Sequence, residues 1–231
     1  MSKPLRVAIV GATGLIGRSI IEQALGREDI RLLAIARREI KLPKGSAMEM
    51  VVASPGKWGD VLARVKPQVL VNALGTTIKK VGSEDAFRAV DQQLVVQTAR
   101  AALENGVTRM ISVSSVGADA YSKNFYLKVK GEVERDLLKI GFGRLDILRP
   151  GLLRGERLDD PRLAERTGMI LSPLADLMMH GKFRKYRSIS AKQIADAILA
   201  LSMRKAAGKF FHEHDALIRA AHSLPQIHSV I

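Results

Sequence analysis

Val10-Gly11-Ala12-Thr13-Gly14-Leu15-Ile16-Gly17 is the stretch from which the rest of the chain can be read. It follows Leu5–Val10, a continuous apolar run of the kind that forms a strand covered on both faces. It opens a segment, 15–25, whose apolar spacing predicts a helix. Gly11 permits the tight turn from strand to helix, and Gly17 lets that helix pack close against the sheet. Gly14 presents bare backbone, so a pyrophosphate can approach the amides at the helix N-terminus, where the dipole favours negative charge. A glycine pattern alone is weak; this one stands directly after the first strand and before the first helix, as the mechanism requires.

Outward from this turn, strand and helix patterns alternate. Strands are expected at 31–36, 49–53, 68–74, Arg109–Val113 and Arg144–Leu148, with helices at Trp58–Val65, 85–103, 125–138 and Ala191–Met203. Asn105-Gly106 stops the helix at 85–103. This order predicts an α/β fold with a doubly wound parallel sheet of the Rossmann type. No domain boundary stands out, so residues 1–231 read as a single domain. The looser stretch 151–231 is expected to form a small substrate-covering region at the carboxyl ends of the strands.

Composition removes several classes of function. There is no Cys, hence no disulfide framework, thiolate zinc site or cysteine nucleophile. The N-terminus carries no apolar signal core, and no stretch approaches the roughly 20 apolar residues that span a bilayer. The expectation is a soluble, cytoplasmic protein without a membrane partner. The net charge of +14 raises the question of nucleic acid, and Lys182-Phe183-Arg184-Lys185-Tyr186-Arg187 is the densest basic run. The remaining excess is scattered, no helix-turn-helix pattern is present, and aromatics make up only 4% of residues. A basic pocket for an anionic cofactor accounts for the charge better than nucleic acid. The expected partners are a small-molecule substrate and, for an oligomer, a second copy of the chain.

Two further signals point to chemistry. The second strand closes on Ala34-Ile35-Ala36-Arg37-Arg38, where NAD sites usually place an acid to hold the ribose hydroxyls. Two guanidiniums there suit a 2′-phosphate instead, so the expected cofactor is NADP(H). Tyr126 and Lys130 stand four apart on a helix and point the same way. A free phenol is a poor acid–base catalyst at neutral pH, whereas a nearby ammonium and a charged nicotinamide both favour the phenolate. Upstream, Ser112-Val113-Ser114-Ser115 ends the fifth strand, where the hydroxyl of Ser114 or Ser115 could bond a substrate carbonyl. His212-Glu213-His214 would put two imidazoles on one side of a strand, but spacing supplies no third ligand, so no metal site is expected. Met178-Met179 reads as core or pocket lining, and Asp159, Asp160 and Arg162 as a solvated loop.

With these residues in hand, the chain resembles the short-chain dehydrogenases/reductases. Gly11, Gly14 and Gly17, Arg37-Arg38, Asn72-Ala73-Leu74-Gly75-Thr76-Thr77, Ser114-Ser115, Tyr126/Lys130 and Arg149-Pro150-Gly151 occur in that family's order. Residues 114–153, with Lys130-Gly131-Glu132-Val133-Glu134 among them, are most similar to the atypical branch that includes the Tat-interacting-protein oxidoreductases. The resemblance implies that Gly11, Thr13, Gly14, Leu15, Ile16 and Gly17 hold the pyrophosphate, and Arg37 and Arg38 the adenosine 2′-phosphate. It implies Leu74 and Gly75 on the adenosine-ribose side, and Leu152 at the nicotinamide end. Tyr126 would exchange the proton, and Lys130 would bind the nicotinamide ribose. The implied activity is hydride transfer between the cofactor and a small carbonyl or alcohol. A cofactor-responsive regulatory module with little turnover, and a nucleotide-sugar epimerase, are the alternatives. One departure stands out: many members carry an Asp after the third strand, and Val51-Val52-Ala53-Ser54 has none.

Overall fold

The computed structural model describes residues 3–39, 42–43, 48–154 and 179–226. Asp159, Asp160, Arg162 and Met178 lie outside the described residues. The elements run β1 (Leu5–Val10), α1 (Leu15–Gln23), β2 (Ile30–Ala36), β3 (Glu49–Val52), α2 (Trp58–Val65) and β4 (Val69–Asn72). Then come α3 (Ile78–Val81), α4 (Glu84–Arg88), α5 (Leu94–Glu104), β5 (Arg109–Val113), α6 (Phe125–Ile140) and β6 (Arg144–Leu148). The chain continues through β7 (Leu153–Arg154), β8 (Ile189–Ser190), α7 (Ala191–Met203), β9 (Gly208–His212) and α8 (His214–His222).

Seven strands form one parallel sheet in the order β3-β2-β1-β4-β5-β6-β9. The strand order reverses between β1 and β4, the switch point at which such sheets open a crevice beyond their carboxyl ends. Each strand of the central set is apolar on both sides because each side has its own core. Val7 and Ile9 face α1, α7 and α8 among Ile20, Ile194, Ile198 and Leu217. Ala8 and Val10 face the opposite way, among Leu62, Phe87, Val95, Met110, Val129 and Leu137 from α2, α4, α5, β5 and α6. The alternation is the period of two expected of a strand buried from both sides.

The expected elements are present, with three differences. The single helix read over 85–103 is interrupted: Ala89–Gln93 forms a wide π turn between α4 and α5. Of the stretch from 151 onward, expected to cover the substrate, residues 191–222 lie on the sheet and its helical layer. There β9 extends the sheet beside β6, and α7 packs against α1 and α8. The two histidines expected on one face of a strand are split, since His212 ends β9 and His214 begins α8. Their imidazoles face different partners: His212 Nε2 lies 2.8 Å from Asp146 and His214 Nδ1 3.0 Å from Asp215. Asp146 is buried and also accepts from Arg144 Nε and Nη2, at 2.6 and 2.8 Å. The charges of Arg144 and Asp146 are thus satisfied inside the fold, which explains how two ionic residues occupy a buried strand.

Candidate functional site

The turn after β1 is shaped by two kinds of glycine. Gly11 has φ +88°, and a side chain there would stand 2.3 Å from the Ala73 carbonyl carbon; one on Gly17 would stand 2.3 Å from the Gly11 oxygen. Both positions are closed by the protein's own backbone. Gly14 is different. It adopts φ −75° and ψ 169°, open to any residue, and a Cβ there would come no nearer than 3.4 Å to another group. Gly14 caps α1 without a side-chain bond to the first-turn amides, and it lines a cavity of about 500 Å³. The protein leaves that backbone bare toward the cavity, the cradle a pyrophosphate needs.

The cavity gathers most of the residues singled out from sequence. Thr13, Gly14, Leu15 and Ile16 form one wall, Leu74 and Gly75 a second, and Ser114, Tyr126 and Lys130 a third. Asn72 holds the second wall: its amide donates to Ser112 Oγ at 3.0 Å and its carbonyl oxygen accepts from the Leu74 N–H at 3.2 Å. Arg18, Lys79 and Lys80 also line the cavity, while Asp91 is the only acid among the described lining residues. Arg37 and Arg38 follow β2 and are exposed; Val10 pairs with Ile35, so both lie at the same sheet edge as the glycine turn. They are not among the cavity's lining residues, and neither are Ser115 and Leu152. Leu152 is 53% exposed, and its neighbour Leu153 lines the cavity instead.

Helix α6 delivers the tyrosine and lysine. Asn124 caps it, its side-chain oxygen accepting from the Leu127 N–H at 3.1 Å. Gly131 has no side chain because the backbone of Asp119 and Ala120 crosses there, 2.2 Å from where a Cβ would be. That crossing seats the loop after β5 directly on α6. Tyr126 is 39% exposed toward the cavity, and the Phe87 ring meets its ring edge-on at 6.0 Å. Lys130 is buried, with Nζ 5.8 Å from the Tyr126 ring centre. That ammonium also donates to Asp91 Oδ1 at 2.7 Å.

The two serines differ in what they offer. Ser114 Oγ donates to the buried Glu134 at 2.5 Å, so its proton is committed and it presents a lone pair to the cavity. Glu134 is in turn bound by Arg149, whose guanidinium is held above its usual range chiefly by that hydrogen bond. Ser115 Oγ makes a longer bond, 3.3 Å, to the Val116 carbonyl. Asp91, Lys79 and Lys80 were not singled out from sequence. Asp91 had a signal: it is a charge on the stripe Phe87, Asp91, Val95, otherwise apolar at a spacing of four.

A turn that leaves one glycine bare, basic residues around the opening and a paired lysine beside a tyrosine describe a nucleotide crevice. Residues 11–205 match the family described as NAD(P)H-binding. The chain belongs to that family. It is 38% identical over 154 residues to the mitochondrial protein FMP52 of Candida albicans, spanning 64% of this chain and 67% of that protein. A protein of Bacillus halodurans, described as an NAD-dependent epimerase/dehydratase, superposes with TM-score 0.65 at 24% identity, covering 95% of this chain and 100% of the other. The enzyme WbmG of Bordetella bronchiseptica, solved with NAD, gives TM-score 0.65 at 18% identity, over 91% and 73% of the two chains. At these identities the structural likeness shows the fold alone. The expectation of a cytoplasmic location does not stand, because the FMP52 relatives are named mitochondrial.

Proposed function

We propose that the chain is an NADP(H)-dependent oxidoreductase of the atypical short-chain dehydrogenase/reductase type, acting on a small carbonyl or alcohol. The observation that carries this reading is convergence: Gly14, at the N-cap of α1, and Tyr126 and Lys130, on α6, face one cavity. Gly11, Thr13, Gly14, Leu15, Ile16 and Gly17 would hold the pyrophosphate, with Leu74 and Gly75 beside the adenosine ribose. Arg37 and Arg38 would bind a 2′-phosphate, the basis for NADP over NAD. The bound nicotinamide supplies or accepts the hydride. Tyr126 Oη gives its proton to the substrate oxygen in reduction and takes it back in oxidation. Lys130, its ammonium 5.8 Å from the Tyr126 ring centre, would donate to the nicotinamide ribose. Ser114, in the cavity wall, can accept from a substrate hydroxyl, whereas Ser115, whose proton goes to the Val116 carbonyl, stands outside the cavity's lining residues. Tyr126→Phe keeps the ring packed on Phe87 and removes one oxygen. It is expected to spare NADPH binding and to lower NADPH oxidation by roughly 10²–10⁴ across aldehydes, ketones and quinones. An active substrate whose rate survives Tyr126→Phe overturns the mechanism. Tight NADPH binding with no turnover on a broad panel favours a regulatory module.

A further inference from the structure

Lys79 and Lys80 stand on α3, the short helix between the loop after β4 and α4, and both line the cavity. The chain on either side of α3 is tied to the tyrosine end of the site. Before it, the Thr76 N–H donates to Asp91 Oδ2 at 2.8 Å, and the other oxygen of that carboxylate accepts from Lys130 Nζ at 2.7 Å. After it, α4 carries Phe87, whose ring packs edge-on against Tyr126. The helix itself is fixed: Thr77 Oγ1 accepts from the Lys80 N–H at 3.2 Å, and Val81 packs against the core. Its two lysines are exposed and, among the described residues, have no carboxylate partner.

The cofactor does not account for them. Among the described lining residues, four cations, Arg18, Lys79, Lys80 and Lys130, stand against one acid, Asp91, which already holds Lys130. The pyrophosphate belongs at the Gly14 turn beside Arg18, whose N–H donates to the Gly14 carbonyl at 2.9 Å. A 2′-phosphate belongs at Arg37 and Arg38, outside the cavity's lining. The nicotinamide end brings no anion, and its oxidised form is a cation. Two ammoniums there repel each other and the ring unless a negative group joins them. We propose that the substrate brings that group: the chain reduces carbonyl compounds that carry a carboxylate or a phosphate, with Lys79 and Lys80 holding the anion while the carbonyl faces Tyr126. The inference rests on the oxidoreductase reading above and narrows it to an anionic substrate class. The carbonyl carbon takes a hydride from NADPH and its oxygen takes the Tyr126 proton, giving the alcohol and NADP⁺; the anionic group is unchanged. Lysine suits the task, a compact charge on a flexible stem that can follow a small substrate.

The experiment compares carbonyls matched except for one anionic group: pyruvate with methyl pyruvate, succinic semialdehyde with its methyl ester, and glyceraldehyde 3-phosphate with glyceraldehyde. NADPH oxidation gives kcat/KM for each member at low and high salt. The anionic member of at least one pair is expected to be favoured at least about tenfold, about 1.4 kcal/mol, chiefly through KM. Salt should erode the preference, because both lysines are exposed. The carboxylate pairs and the phosphate pair tell the two anions apart. Lys79→Gln/Lys80→Gln removes both charges at exposed positions and should abolish the preference, while NADPH affinity, read by cofactor fluorescence, holds. Equal rates within every pair, or a preference for the neutral members, overturn the proposal. A preference that survives the double change overturns it too, since the anion is then held elsewhere. If NADPH affinity falls with the double change, the lysines serve a cofactor phosphate and the assignment fails. If the protein binds NADPH but turns over no member of any pair, the oxidoreductase reading itself is what fails, and the substrate class falls with it.

Discussion

Substituting the glycines of the turn one at a time separates what the fold requires from what the cofactor requires. Gly14→Val introduces a Cβ whose nearest protein atoms are 3.4 and 3.8 Å away, ordinary contact, on a backbone at φ −75° that valine adopts freely. Losing glycine at a helix N-cap costs about 0.5–1 kcal/mol. Restricting the unfolded chain returns about 0.4–1 kcal/mol, so the net change in stability is expected to be within about 1 kcal/mol of zero. Gly17→Ala instead drives a Cβ to 2.3 Å from the Gly11 oxygen and 2.6 Å from the Ala12 Cα, both backbone atoms with nowhere to rotate. A cost of about 3 kcal/mol or more is expected, at the upper end of overpacking, or about 6–12 °C in Tm for a domain of this size. The order reverses for the ligand. Gly14→Val fills the space where a phosphate would meet amides, each such charge-assisted bond being worth about 1.5–3 kcal/mol, so NADPH affinity should fall at least about 100-fold. Thermal denaturation by circular dichroism and NADPH fluorescence titration read the two effects independently. A folded Gly14→Val protein that binds NADPH normally refutes the assignment of this turn; one that loses as much Tm as Gly17→Ala refutes the packing argument.

Two more outcomes follow from the charges around the site. The double change Arg37→Ala/Arg38→Ala should erase an NADPH-over-NADH preference of at least about tenfold, about 1.4 kcal/mol, and leave NADH binding intact by calorimetry; equal affinities in the unmodified protein would sink the 2′-phosphate role. Glu132 is held below the usual carboxylate range, chiefly by the hydrogen bond from Arg88, with NH1 and Oε2 2.5 Å apart. A depressed carboxylate stabilises the fold above its unfolded value, roughly pH 4.3, and that contribution is lost as pH falls through the lower folded value. Glu132→Gln should therefore lower Tm at pH 6–7 and converge on the unmodified protein toward pH 3; a gap that does not close rejects the pairing as a source of stability.

What the linear chain carried was everything with a local cause. The apolar run Leu5–Val10, the glycines at 11, 14 and 17, and the alternation of periods two and 3.6 specify strand, turn and helix through contacts a few residues long. A doubly wound sheet then follows from handedness and burial alone. The pairing of Tyr126 with Lys130 was legible for the same reason, one helical turn separating them. Tertiary structure decided what depends on residues far apart in the chain. Asp91 meets Lys130 across 39 positions, and Ser114 gives its proton to Glu134 across 20. No spacing rule could have said which serine was committed. The last strand, Gly208–His212, joins the sheet only because β6 offers it an edge, its Phe210 and Phe211 registering against Asp146 and Ile147. Even the glycines divide along this line. Position 11 shows its positive φ only where the loop after β4 closes on it, and position 14 reveals its purpose only as a wall with nothing of the protein behind it. Local physics chose the elements; the cavity exists because three of them end side by side at one edge of the sheet.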